Sequence, residues 1–288
     1  MDLWAQSSGK GGGAGRVHGH LRRNDMKIKT LIENTAISPD LHTEAGLGMY
    51  VETGRHKILF DTGMTGNFVE NAEKMGVDLK AVDLVVISHG HDDHGGGLKR
   101  FLELNHTAPV YINRNAFRPF YARETKDLSL EPELKDHPQV ILTDDRLELD
   151  EGLELFTCNG FERKHKMGHF GLSTLSKGVH VPDDFRHEQY LLITEGEKKV
   201  LFSGCSHKGI LNIMEWVECD VLFGGFHFMR MAVEGEERAE LENAGKRLME
   251  YPTTYYTCHC TGLKQYEVLK SIMGEQLQYT ATGDEIEI

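Results

Sequence analysis

Leu84-Val85-Val86-Ile87-Ser88-His89-Gly90-His91-Asp92-Asp93-His94-Gly95-Gly96-Gly97 is an apolar run that breaks into a His-x-His-x-Asp-His loop and then into three glycines. A stretch apolar throughout reads as a strand covered on both faces. Three imidazoles and a carboxylate within six residues form a concentrated donor set for a divalent transition metal. His89 and His91, two apart as the strand frays, can point the same way, and Asp93 and His94 reach a second position a few ångströms off. One loop can therefore serve two metals, the arrangement that clamps and hydrolyses a phosphate or acyl group. The glycines let backbone approach the site and open a helix whose N-terminus favours anions.

The same grammar recurs on either side. Ile58-Leu59-Phe60-Asp61-Thr62-Gly63 is a buried strand ending in a carboxylate, which either caps the turn or accepts the spare N–H of a metal-binding histidine. Leu201-Phe202-Ser203-Gly204-Cys205-Ser206-His207, Val221-Leu222-Phe223-Gly224-Gly225-Phe226-His227 and Tyr255-Tyr256-Thr257-Cys258-His259-Cys260 each run from a largely apolar strand to a histidine. With the His89–His94 loop, four such strand ends point to side chains converging on one edge of a sheet, where α/β proteins build their sites. Further strands read at 27–33, 47–53, 109–113, 139–142, 153–158, 190–194 and 277–280, with helical patterns at 66–75, 94–105, 208–217, 236–250 and 263–273.

Strands and helices interleave with no Pro/Gly/Ser linker after residue 26, so residues 26–288 read as one α/β domain. Residues 1–25, with the linker-like Ser7-Ser8-Gly9-Lys10-Gly11-Gly12-Gly13, read as a disordered extension ahead of it. Two stretches, 114–138 and 161–189, interrupt the rhythm and read as long lids or binding loops. The second carries Arg163, Lys164, His165 and Lys166; Arg163 and Lys164 are the expected phosphate clamp, Arg163 being suited to a bidentate contact.

A net charge of −13, from 32 Lys and Arg against 45 Asp and Glu, argues against a general nucleic-acid or anionic-membrane binder. A small anionic substrate stays compatible, because bound metal reverses the local field. No apolar run is long enough to span a bilayer. An odd five Cys in a long chain points to reduced thiols and a cytoplasmic protein, free to form a homo-oligomer.

The Phe60-Asp61-Thr62-Gly63 strand end, the Ser88–Leu98 loop, and the later Gly204-Cys205-Ser206-His207, Gly224-Gly225-Phe226-His227 and His259-Cys260-Thr261-Gly262 segments resemble the metallo-β-lactamase superfamily over about residues 26–288. Within it they are similar to the branch of 7,8-dihydropterin-6-methyl-4-(β-D-ribofuranosyl)-aminobenzene 5′-phosphate synthases. The resemblance implies an αββα sandwich, two mixed β-sheets flanked by helices, with a binuclear metal centre at one edge. It implies His89 and His91 on a first metal, and Asp93, His94 and His259 on a second. Where the superfamily usually has a bridging Asp, this chain has Gly204-Cys205, so His207, with Cys205 as the alternative, is the expected ligand. A mid-chain histidine has no clear counterpart; His165 and His169 are the candidates. The branch's Glu-His-Gly reads Glu44-Ala45-Gly46 here.

These residues imply an enzyme that uses one or two divalent metals, Zn2+ with Mn2+ or Fe as alternatives, to activate a water. Asp93 orients the nucleophile and His227 steadies developing charge or protonates the leaving group. The resemblance also admits transfer of a pterinylmethyl group from its diphosphate to an aryl carbon. The incomplete ligand pattern admits a metal-bound sensor without turnover.

Overall fold

The computed structural model describes residues 26–166 and 170–288; the extension expected at 1–25 lies outside them. The chain begins with β1 (Lys27–Ile32), β2 (Gly48–Glu52), β3 (Lys57–Phe60), α1 (Asn67–Lys74), β4 (Leu84–Ile87), α2 (Asp92–Gly95), α3 (Leu98–Leu102) and β5 (Val110–Asn113). It continues through β6 (Phe120–Ala122), β7 (Lys126–Asp127), β8 (Val140–Thr143), β9 (Arg146–Asp150), β10 (Leu153–Phe156), β11 (Leu172–Ser176), β12 (Val179–Pro182) and β13 (Tyr190–Glu195). It closes with β14 (Lys198–Gly204), α4 (Ile210–Trp216), β15 (Val221–Gly224), α5 (Gly235–Leu248), β16 (Thr254–Thr257), α6 (Leu263–Met273), β17 (Leu277–Tyr279) and β18 (Glu285–Glu287).

Two seven-stranded mixed sheets, ordered β18-β1-β2-β3-β4-β5-β8 and β17-β16-β15-β14-β13-β10-β9, pack face to face. The period-two geometry of a strand sorts its residues between layers. In β4, Leu84 and Val86 join the core between the sheets, while Val85 and Ile87 face the layer of α1 and α3. In β14 and β15, Val200, Phe202, Val221 and Phe223 face inward, and Leu201 and Leu222 turn to α4, α5 and α6. Phe202 stacks on Phe223 with centroids 5.2 Å apart and meets Phe60 at 5.4 Å, locking sheet to sheet. This is the expected αββα sandwich. Among the described residues no helix is long and apolar enough to cross a membrane.

Two expectations are corrected. The stretches 114–138 and 161–189 are not simply loops, because they pair into a third, four-stranded sheet, β12-β11-β6-β7. The helix expected over 94–105 divides into α2 and α3 at Gly96-Gly97, where side chains would collide with the carbonyls of Met64 and Thr62.

The parallel run β3-β4-β5 and the parallel run β14-β15-β16 end at the same edge of the sandwich. Three of those strands are followed by a non-glycine residue with left-handed backbone: Asp61 after β3, His227 after β15 and His259 after β16. Ser206 after β14 is a fourth. Such strain gathers where the surrounding structure over-determines the backbone.

Candidate metal centre

Asp61, buried at the end of β3, organises the loop after β4. Its Oδ1 accepts the Ser88 N–H at 2.7 Å, and its Oδ2 accepts the Ser88 hydroxyl and His94 Nδ1–H, both at 2.7 Å. Since Ser88 spends its proton on Asp61, its oxygen accepts from His89 Nδ1 at 2.8 Å. Asn34 Oδ1 likewise accepts from His259 Nδ1 at 2.8 Å, and Glu33 takes the His259 backbone N–H. Three imidazoles are thus held by Nδ1, which leaves the Nε2 lone pairs of His89, His94 and His259 pointing inward.

Those lone pairs meet. His94 Nε2 stands 3.3 Å from His259 Nε2 and 3.1 Å from Cys205 Sγ, and Asp93 Oδ2 lies 3.4 Å from His259 Nε2. His89 Nε2 stands 3.2 Å from His207 Nε2, and His207 Nδ1 is buried without a hydrogen-bond partner among the described residues. The donor atoms group as His89, Cys205 and His207; His94, Cys205 and His259; and His89, Asp93 and His94, each set within 4.8 Å. Cys205 belongs to two sets, so the thiol and His207, weighed above as alternatives, lie in the same cluster. β14 delivers them through Gly204, whose φ of +64° suits glycine and where a Cβ would sit 2.5 Å from Ser88 Oγ.

The electrostatics suit cations. Burial pulls the His89 and His207 imidazoles well below their usual range, so they present lone pairs rather than charge. Burial lifts Asp93, but His94 and His259 outweigh it and leave the carboxyl well below its ordinary range. Asp93 in turn raises His259 to about 9 against the pull of burial, so without metal the His259 Nε2 carries a proton towards Asp93, and a cation bound there displaces it to reach the lone pair. Burial raises the Cys205 thiol well above its usual value. Facing nitrogen lone pairs, an unpartnered buried imidazole nitrogen and a shared thiol make a borderline-soft donor set that fits zinc, with iron or manganese as alternatives.

The other expected residues fall differently. His91 does not share a set with His89; its donor atom groups with Asp183 and His187. His227 joins no donor set among the described residues, its ring lies 4.3 Å from that of His207, and burial pushes it down to about 3. Arg163 is exposed and donates to the Asp184 carbonyl, at the segment that carries Phe185 onto His207. Lys164 pairs with Glu215 at 2.9 Å, away from the cluster. The mid-chain expectation is corrected at His165, whose ring is engaged by Glu215 at 2.6 Å and by Arg247 at 3.1 Å. His169 lies outside the described residues. Asp183 and His187 were missed because the only sequence signal is a histidine before, not after, an apolar strand, here β13.

Residues 44–174 match the family model of the metallo-β-lactamase superfamily. The 7,8-dihydropterin-6-methyl-4-(β-D-ribofuranosyl)-aminobenzene-5′-phosphate synthase of Methanocaldococcus jannaschii is 26% identical over 287 residues, 90% of this chain and 96% of its own length. An uncharacterized protein of the same organism is 25% identical over 258 residues, 85% of this chain and 94% of its own. The crystal structure of a metal-dependent hydrolase of the β-lactamase superfamily matches with a TM-score of 0.78 at 26% identity, over 91% of this chain and 99% of that one. With its αββα sandwich and its His-x-His-x-Asp-His loop at the shared strand edge, the chain has the metallo-β-lactamase fold, and residues 44–174 are the part that matches the superfamily's model.

Proposed function

We propose that the chain is a metal-dependent hydrolase acting on a small anionic substrate, a phosphate ester above all. The observation that carries this reading is the pair of donor trios, His89-Cys205-His207 and His94-Cys205-His259, sharing one thiol at the sheet edge. Divalent cations held there supply a water acidified towards neutrality and positive charge against the substrate's oxygens. Asp93, the half-buried carboxylate of the cluster, orients the attacking water through its oxygens. His227, beside His207 but outside the donor sets, offers an N–H to the charge that develops on the substrate. Arg163, exposed beside the Asp183–Phe185 segment, receives the substrate's phosphate. Five free cysteines support a reducing compartment, the cytoplasm, as its place of work.

A second reading, synthesis of the pterin–ribofuranosylaminobenzene phosphate product, is favoured by the likeness to the archaeal synthase along 96% of its length. Zinc- or manganese-loaded protein assayed against a panel of phosphomonoesters, phosphodiesters and lactones separates the two. Metal-dependent turnover of any panel member supports the hydrolase. Inertness across the panel, with product formed from a dihydropterin diphosphate and the aryl riboside phosphate, sinks it in favour of the synthase.

A further inference from the structure

His91 differs from the other imidazoles of the cluster. Its Nε2 is buried with no hydrogen-bond partner among the described residues, and Asp183 Oδ2 lies 3.8 Å from it. That same oxygen lies 2.9 Å from His187 Nε2, while Asp183 Oδ1 accepts the Phe185 N–H at 2.9 Å. His91, Asp183 and His187 could be mistaken for a fourth donor trio. One hydrogen bond decides otherwise. The Gly90 N–H donates to His187 Nδ1 at 2.9 Å, so that nitrogen carries the lone pair and the neutral ring must carry its proton on Nε2. His187 therefore donates to Asp183 and has no lone pair to offer a cation on that side.

An ionised carboxylate oxygen held by one imidazole N–H can accept a second. We propose that Asp183 is a positioning residue for His91: its Oδ2 takes the Nε2–H of His91 and turns the Nδ1 of that ring towards the donors around Cys205. The proposal rests on reading the cluster as a metal centre, and it gives His91 the reverse orientation of His89, His94 and His259, which are held by Nδ1. Closing the 3.8 Å gap to an ordinary hydrogen bond takes a shift of about 0.9 Å. The His91 ring already lies 4.6 Å from that of His89 and 4.9 Å from that of His207, so it borders the first trio. The third sheet exists at the right place to do this. Asp183 follows β12 and ties back to the Leu172 carbonyl, and Phe120 of β6 packs on both His91 and His187.

The test compares the wild type with Asp183→Asn, Asp183→Ala and His187→Ala. Nitrogen-15 spectra of the histidine rings of metal-free protein should show His91 protonated on Nε2 in the wild type and shifted towards the Nδ1–H form in both Asp183 variants. Zinc titration should show the Asp183 variants binding tenfold or more weakly at unchanged stoichiometry. An unchanged His91 tautomer overturns the proposal, even if the variants melt earlier. So does the loss of one zinc per chain in both Asp183→Ala and His187→Ala, which would make them ligands. A wild type that binds no zinc would sink the metal-centre reading instead, and the ring spectra alone would still decide the role of Asp183.

Discussion

Asp61 Oδ2 accepts the Nδ1–H of His94 at 2.7 Å, with both side chains completely buried. Through Ser88 the same carboxylate also sets His89, so one residue at the end of β3 orients a histidine of each of the two Cys205 trios. Asp61→Asn should therefore weaken zinc binding at both positions by about 10–100-fold, the usual effect of removing a carboxylate behind a ligating histidine. A chelator-competition titration measures it. Wild-type affinity in the variant would mean that packing alone holds the rings.

Cys205 is the donor common to two trios, so its removal should be felt twice. Cys205→Ala should lower bound zinc from the wild-type content by more than His207→Ala does, since His207 belongs to one trio. Cys205→Asp restores an anionic donor with oxygen in place of sulfur, and should shift preference towards manganese. Elemental analysis after dialysis against equimolar zinc and manganese reads both effects. Equal metal loss in Cys205→Ala and His207→Ala would count against a shared thiol.

The sandwich and most of the donors were legible because each depends on a local pattern. The apolar strands β3, β4, β14, β15 and β16 stand within a residue or two of their expected spans, and Asp61 occupies the orienting place weighed for it. The third sheet was not legible. β7 is two exposed residues, and β12 is half-exposed and ends in proline, so neither shows the alternation of a half-buried strand. Losing that sheet hid Asp183 and His187, whose relation to the loop is a tertiary contact spanning 97 residues from Gly90 to His187. The split of one expected helix into α2 and α3 was hidden for a related reason. Helical spacing of Leu98, Phe101 and Leu102 says nothing of the carbonyls that press on Gly96 and Gly97.

Arg163 tests the substrate class separately from the metals. Its guanidinium is exposed and rests on the Asp184 carbonyl, free to meet an incoming phosphate. Arg163→Ala should raise KM for a phosphate-bearing substrate about tenfold, about 1.4 kcal/mol of lost binding, with kcat and metal content unchanged. Arg163→Lys should recover only part of the loss, because an ammonium cannot make the bidentate contact. An unchanged KM would return this arginine to the solvated surface.

Lys208, beside His207, carries a pH dependence whose sign can be worked out. Its side chain is buried, and Nζ donates to the carbonyls of Thr157 at 2.5 Å and Glu188 at 2.8 Å. Burial pushes the ammonium down to about 8 from 10.5. Below pH 8 the group is protonated in both folded and unfolded chains, and the cost of burying its charge is fully present. Between about pH 8 and 10.5 the unfolded chain holds the proton that the folded one has released, so this group makes stability rise with pH. The relief approaches about 3 kcal/mol at the top of that window. Lys208→Met leaves the two carbonyls short of a donor, but that loss does not vary with pH. Urea unfolding of both proteins at pH 7 and pH 10 should therefore show the wild type gaining on Lys208→Met by up to that amount. A constant difference, or one that moves towards the variant, would mean that Lys208 keeps its ordinary affinity for the proton inside the fold.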